Sequence, residues 1–135
     1  MCGIAGAVNT NITRKALDLI EHRGPDYQAL CTRSIEDNDI CLGHTRLSIL
    51  DLSEAGNQPM FSDCGNYAIV FNGEIYNHQE LKRKLRGVEF RGHSDTETIL
   101  YYIREFGIAA VDDFNGIFAF AFLDIPDGKL YLVRD

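Results

Sequence analysis

The sequence lacks a long hydrophobic run, an excess of positive charge and any cluster of cysteines, and each absence excludes a class of protein. Its longest apolar run, residues 116–123, falls far short of the roughly 20 residues that span a bilayer. No basic segment leading into an apolar one opens the chain as a signal peptide would, so a cytoplasmic location is expected. The Asn11-Ile12-Thr13 sequon is accordingly read as chance, since glycosylation needs a secretory route. Thirteen Lys and Arg against 20 Asp and Glu give a formal charge of −7. That is the wrong sign for counterion-release binding to nucleic acid or for attraction to anionic lipid, so neither partner is expected. The four cysteines, at 2, 31, 41 and 64, form no CxxC pair and no Cys-His pair at ligand spacing, and no metal site is expected. Repeats, linkers and low-complexity stretches are also missing, which leaves no internal domain boundary.

What is present fits one globular domain: 135 residues, 45% apolar and 24% charged. Residues 2–8 read as a short buried strand with glycines at 3 and 6. A helix is expected from the Thr13 cap to His22, stopped by Arg23-Gly24-Pro25-Asp26. Residues 29–35 and 40–50 read as a hairpin about the polar turn 36–39, followed by a loop over 51–65. A strand over 67–72 leads to a helix over 78–85 that Asn77 and Glu80 would cap as a box. Ser94 and Glu97 suggest a second capping box, opening a helix with Ile99, Ile103 and Phe106 in one stripe and Gly107 as its stop. Residues 117–124 and 129–134 flank Pro126-Asp127-Gly128 as a hairpin, and the large-small alternation from Ile117 to Phe122 points to burial on both faces. Hairpins at both ends with helices between them argue for antiparallel sheets with helical layers rather than a doubly wound fold.

Several residues carry chemistry. Cys31 and Cys41 read as buried hydrophobes and Cys64 as an incidental loop residue. Cys2 differs. Methionine is normally trimmed before a small residue, and the exposed cysteine would then carry a thiol beside its own α-amine. An amine titrating near 7.7–8.0 can relay the proton of a thiol near 8.5, which joins base and nucleophile in one residue. Asn72-Gly73, at a strand end, could aim a side-chain amide and an unhindered backbone N–H at one oxyanion. Arg46 lies in a mostly apolar strand, where its guanidinium needs a partner and a carboxylate is the best match. Asp95 sits in a first helical turn, which the helix dipole alone would favour.

Six motifs combine these residues in order: Met1-Cys2-Gly3-Ile4-Ala5-Gly6, His22-Arg23-Gly24-Pro25-Asp26, Gly43-His44-Thr45-Arg46-Leu47-Ser48-Ile49, Asn72-Gly73-Glu74-Ile75-Tyr76-Asn77, Ser94-Asp95-Thr96-Glu97 and Phe118-Ala119-Phe120. Together they closely resemble the class II glutamine amidotransferase domain of glutamine-hydrolysing asparagine synthetases. The resemblance implies an α+β fold, a four-layer αββα N-terminal-nucleophile sandwich of antiparallel sheets. It implies that Cys2 attacks the glutamine side-chain amide to give a thioester and ammonia, with Asn72 and the Gly73 backbone as oxyanion hole. Arg46 would clamp the substrate α-carboxylate, Asp95 and Glu74 would recognise the α-ammonium side, and the backbone of Leu47, Ser48, Ile49 and Leu50 would complete the pocket. Arg46-Leu47-Ser48-Ile49 and the run from Asn72 to Asn77 point to the asparagine-synthetase-like branch rather than the aminosugar-synthesising one. Tyr27-Gln28 departs from the usual acidic or small residue and glycine.

The larger departure is at Arg134-Asp135, where relatives continue into further strands and a synthetase domain. Residues 1–135 are therefore expected to be most of the amidotransferase domain, C-terminally truncated. No ATP-binding glycine-rich loop is present, so no cofactor is expected in this chain; ATP and Mg2+ belong to the synthetase domain. The implied partners are glutamine and a synthetase domain that accepts ammonia, with a homo-oligomer left open. Two alternatives carry weight: a non-catalytic or fragmentary domain that binds an amino acid or a partner, and an N-terminal-nucleophile hydrolase acting on another amide.

Overall fold

Two antiparallel sheets stack face to face in a computed structural model that describes residues 2–49 and 51–135. Sheet A has the order β1-β3-β2, from β1 (Gly3–Val8), β2 (Tyr27–Ile35) and β3 (Asn38–Arg46). Sheet B has the order β4-β5-β6-β7, from β4 (Met60–Phe61), β5 (Tyr67–Ile75), β6 (Gly116–Asp124) and β7 (Lys129–Arg134). Strand periodicity decides which residues meet, because successive side chains point to opposite faces. Ile40 and Leu42 face Ala68, Val70, Ala121 and Leu123 across the gap and fill the core between the sheets. The alternate residues Ile69, Phe71, Phe118, Phe120 and Phe122 point the other way, under α2 (His78–Lys84) and α3 (Asp95–Phe106). On the far side of sheet A, α1 (Arg14–Asp18) buries Leu17 against β3, where a side chain at Gly43 would collide with it. The layers run helix, sheet, sheet, helix, the α+β sandwich that the motifs implied.

Several elements differ from expectation for local reasons. The first helix is one turn of α-helix and, after a break, a 3-10 turn at Glu21–Arg23. β1 is a half-exposed edge strand rather than a buried one, since only β3 pairs with it. The turn between β2 and β3 needs just Glu36 and Asp37, with Glu36 at φ 53°, so Asn38 and Asp39 join β3. β3 ends at Arg46 instead of running on to residue 50. β5 extends through Gly73 and Glu74 to Ile75, all three in register with β6.

The two capping boxes also part company. Asn77 is the N-cap of α2 but makes no cap bond; its Nδ2 donates to Asp113 O and its Oδ1 accepts from Asn115 N, fastening the segment before β6. Ser94 Oγ does accept from the Glu97 N–H at 3.2 Å. The Glu97 carboxylate, fully buried, turns away and accepts the N–H groups of Arg91 and Gly92 at 2.8 and 2.9 Å. β6 is buried on both faces through most of its length, although Ile117 at its start is 56% exposed.

Candidate active site

Cys2 enters the site because β3 on one side and the 3-10 turn at Glu21–Arg23 on the other hold the backbone around it. Gly3 N–H donates to Thr45 Oγ1 at 3.1 Å, and Arg23 Nε donates to Cys2 O at 3.1 Å. The Cys2 sulfur then lies over the Leu47 peptide, receiving its N–H at 3.4 Å and facing its carbonyl at 3.7 Å. The Arg23-Gly24-Pro25-Asp26 motif is the brace for this arrangement. A side chain on Gly24 would strike the backbone of Thr45 and Arg46, Asp26 N–H donates to Arg46 O at 3.0 Å, and the Asp26 carboxylate accepts from Ser48 N–H at 2.7 Å.

Arg46 is 7% exposed and its partners are not a carboxylate but a loop. Nη1 donates to Ser53 O and to Asn57 Oδ1, both at 2.8 Å, and Nη2 donates to Asp51 O. The guanidinium comes this close because residue 56 is glycine; a methyl there would overlap it. The Asp51 carboxylate faces away, accepting from Ser53 N, Ser53 Oγ and His93 N. These bonds, the one from His93 foremost, hold its pKa down at about 2.

Asp95, 5% exposed, lies across the cavity at the start of α3. Its Oδ2 accepts from Ile75 N at 3.0 Å and its Oδ1 from Thr96 N at 2.9 Å, which ties the end of β5 to the helix. Burial raises its pKa, opposed by those two N–H groups.

A small cavity of about 70 Å3 unites these groups: Cys2, Arg46, Ile49, Gly73 and Asp95 line it. Gly73 is at φ 151°, and a Cβ there would run into Ile117 O. Asn72 lines the adjoining crevice of about 240 Å3, with Gly73 as the shared wall. Its buried Oδ1 has no hydrogen-bond partner among the described residues. Leu47 meets Cys2 through its backbone, Ser48 bonds Asp26 instead of lining the cavity, and Glu74 is exposed on β5. Leu50 and Met1 lie outside the described residues. The same cavity is lined by residues that sequence reasoning missed, among them Asp51, Gly56, Gln58, Phe71 and Thr96. Gln58 stands in a stretch read only as loop, where nothing local marks a buried side chain.

A larger cavity of about 520 Å3 lies elsewhere, between the edges β1 and β7. Cys41 and Arg134 are its only titratable lining residues, so its chemistry is that of an apolar cleft and the smaller cavity is the candidate site. Among the described residues no three His, Cys, Asp or Glu converge as metal ligands, and no helix is long and apolar enough to cross a membrane.

The pattern that defines the glutamine amidotransferase domain matches residues 1–135. This chain belongs to that family. It is 36% identical over 143 residues to asparagine synthetase [glutamine-hydrolyzing] 1 of Arabidopsis thaliana, covering all of this chain and 24% of the plant protein. It is 37% identical over 155 residues to putative asparagine synthetase [glutamine-hydrolyzing] 2 of Methanocaldococcus jannaschii, and 38% identical over 145 residues to asparagine synthetase [glutamine-hydrolyzing] 2 of Bacillus subtilis. All of this chain aligns with each, but it spans only 30% and 19% of their lengths. The glutamine amidotransferase chain thus spans a quarter or so of the curated relatives it matches.

Proposed function

We propose that this amidotransferase domain hydrolyses glutamine to glutamate and ammonia through Cys2, and that the ammonia serves an ATP-dependent amidation of the kind the asparagine synthetase relatives are named for. The observation that carries the reading is the shared cavity: a thiol, a buried guanidinium and a buried carboxylate line one small space. With Met1 removed, the α-amine of Cys2 takes the thiol proton as sulfur attacks the side-chain carbonyl carbon of glutamine. The Gly73 N–H and the Asn72 Nδ2 amide, which share the wall of the adjoining crevice, are the candidate donors to the oxyanion. The protonated amine then gives its proton to the glutamine amide nitrogen, which leaves as ammonia as the C–N bond breaks, and water cleaves the thioester to glutamate and the free thiol.

Charge at the two ends of the cavity supplies specificity. Arg46 meets the α-carboxylate, and an ammonium beside Asp95 offsets the burial that raises its pKa. Ile49, which lines the cavity, and Leu47, whose N–H meets the Cys2 sulfur, are assigned to substrate contact, while Ser48, Leu50 and Glu74 are assigned to it by the motif resemblance alone. ATP and Mg2+ are assigned to a synthetase domain that consumes the ammonia, not to residues of this chain.

The test is ammonia release from glutamine alongside intact-mass measurement of the amino terminus. The trimmed wild-type chain should be active, and Cys2→Ala should release none while keeping its thermal melt. An active alanine variant would overturn the mechanism. One observation favours a second reading, binding without turnover: Asn72 faces the neighbouring crevice. Calorimetric glutamine binding by a trimmed wild type that releases no ammonia would establish it.

A further inference from the structure

Phe71 immediately precedes Asn72, and its backbone is gripped by side chains where a neighbouring strand gives out. β4 pairs with β5 only through Met60↔Ile69 and Phe61↔Ala68. Continued by two residues, that antiparallel register sets Gln58 opposite Phe71, beyond the last pair of the ladder. The side chain of Gln58 takes over there: its Oε1 accepts the Phe71 N–H at 2.6 Å. From the other sheet, His44 Nε2 donates to Phe71 O at 3.2 Å. Gln58 Nε2 meanwhile donates to Thr96 Oγ1 at 3.2 Å, next to Asp95 in the first turn of α3. All three side chains are buried, with exposures of 5% for Gln58, 0% for His44 and 3% for Thr96. Gln58 and Phe71 also line the cavity that holds Cys2.

We infer that Gln58 is a positioning residue of the active site. With His44 as the opposing jaw, it fixes the Phe71 peptide and so aims Asn72 and the Gly73 N–H, and through Thr96 it sets their distance from Asp95. The inference rests on the glutaminase reading above. Buried glutamine fits this role because one amide both accepts and donates, bridging two elements with no charge to bury. A misplacement on the order of 1 Å at reacting groups costs about 100-fold in rate, so loss of the bridge acts on turnover more than on binding.

Gln58→Leu keeps the bulk and removes both bonds. It should lower kcat for ammonia release about 10–100-fold, leave KM close to wild type and leave the alkylation of Cys2 by iodoacetamide unchanged, since alkylation needs no oxyanion hole. Amide exchange should quicken at residues 71–73 and not in β7. Thr96→Val, a gentler change that breaks only the outer bond, should show a smaller fall of the same kind, and it decides the matter if the leucine variant does not fold. Unchanged kcat in Thr96→Val and Gln58→Leu, a rise in KM alone, or a parallel fall in turnover and alkylation would each overturn the positioning role. An active wild type with those results refutes this inference alone, whereas a wild type without Cys2-dependent ammonia release refutes the glutaminase reading and this inference with it.

Discussion

At the scale of single residues, the site depends as much on what is small as on what is charged. Gly56 is the clearest case, because a methyl there would overlap the Arg46 guanidinium, whose partners are fixed by the loop at Asp51, Ser53 and Asn57. Gly56→Ala should therefore move the clamp rather than the nucleophile. On a Cys2→Ala background, where turnover cannot interfere, calorimetry should find glutamine binding weakened about 10–100-fold, the worth of one charged hydrogen bond of about 1.5–3 kcal/mol. Unchanged affinity would remove Arg46 from the substrate site. Cys2, Arg46 and Asp95 were legible as candidates because each falls in one of six motifs that occur in order; singly they are weak signals, and an aspartate at a helix start is what the dipole favours anyway. Gln58 and Gly56 carried no such mark, because a glutamine or glycine in a loop is ordinary until the loop folds back over a sheet.

At the scale of elements, α3 shows how a helix start can hold a neighbouring turn. Its first turn gives Ser94 to the helix, Asp95 to β5 and Glu97 to residues 91 and 92. Glu97→Ala would strand two backbone N–H groups and leave a void at a fully buried position. The expected loss is about 2–4 kcal/mol, read from urea unfolding, with Glu97→Gln costing less because it keeps one acceptor oxygen. An alanine variant as stable as wild type would show that the turn is held by something else. The spacing of Ser94 and Glu97 made this helix start visible in the sequence, yet the similar spacing of Asn77 and Glu80 misled. Asn77 satisfies the segment around Asp113 and Asn115 instead, nearly forty residues away, and a long-range demand of that kind leaves no local pattern. The overrun of β3 to residue 50 has a like cause: apolar side chains continue past Arg46, but the chain turns away there to build the loop around the guanidinium.

At the scale of the whole molecule, burial of titratable groups between layers makes stability depend on pH. His44 is fully buried between the sheets, and desolvation lowers its pKa from 6.5 to about 4, against the hydrogen bond to Phe71 O. The unfolded chain therefore binds the proton first, and stability falls as pH drops from 6.5 to 4, by about 3 kcal/mol in all. Asp51, lowered from 3.8 to about 2, extends the loss to still lower pH, while Asp95, whose pKa is raised, acts in the opposite direction. Urea midpoints at pH 7, 5 and 4 should decline, and a His44→Gln variant should lose most of the slope between pH 6.5 and 4. A flat wild-type profile would place a charged histidine comfortably between the sheets and contradict the burial. By itself the sequence determined the order of the longer strands and helices, though not β4 within the stretch read as loop, the alternation that buries both faces of β6 and the residue types proposed for glutamine chemistry, because these follow from neighbours a few positions apart. Only the tertiary structure decided which of them share a cavity, that Asn72 faces the crevice beside it, and that Gln58 and His44 meet at Phe71. Those outcomes depend on polar groups brought together from 13 to 38 positions apart, each satisfied by whichever distant partner packing delivers.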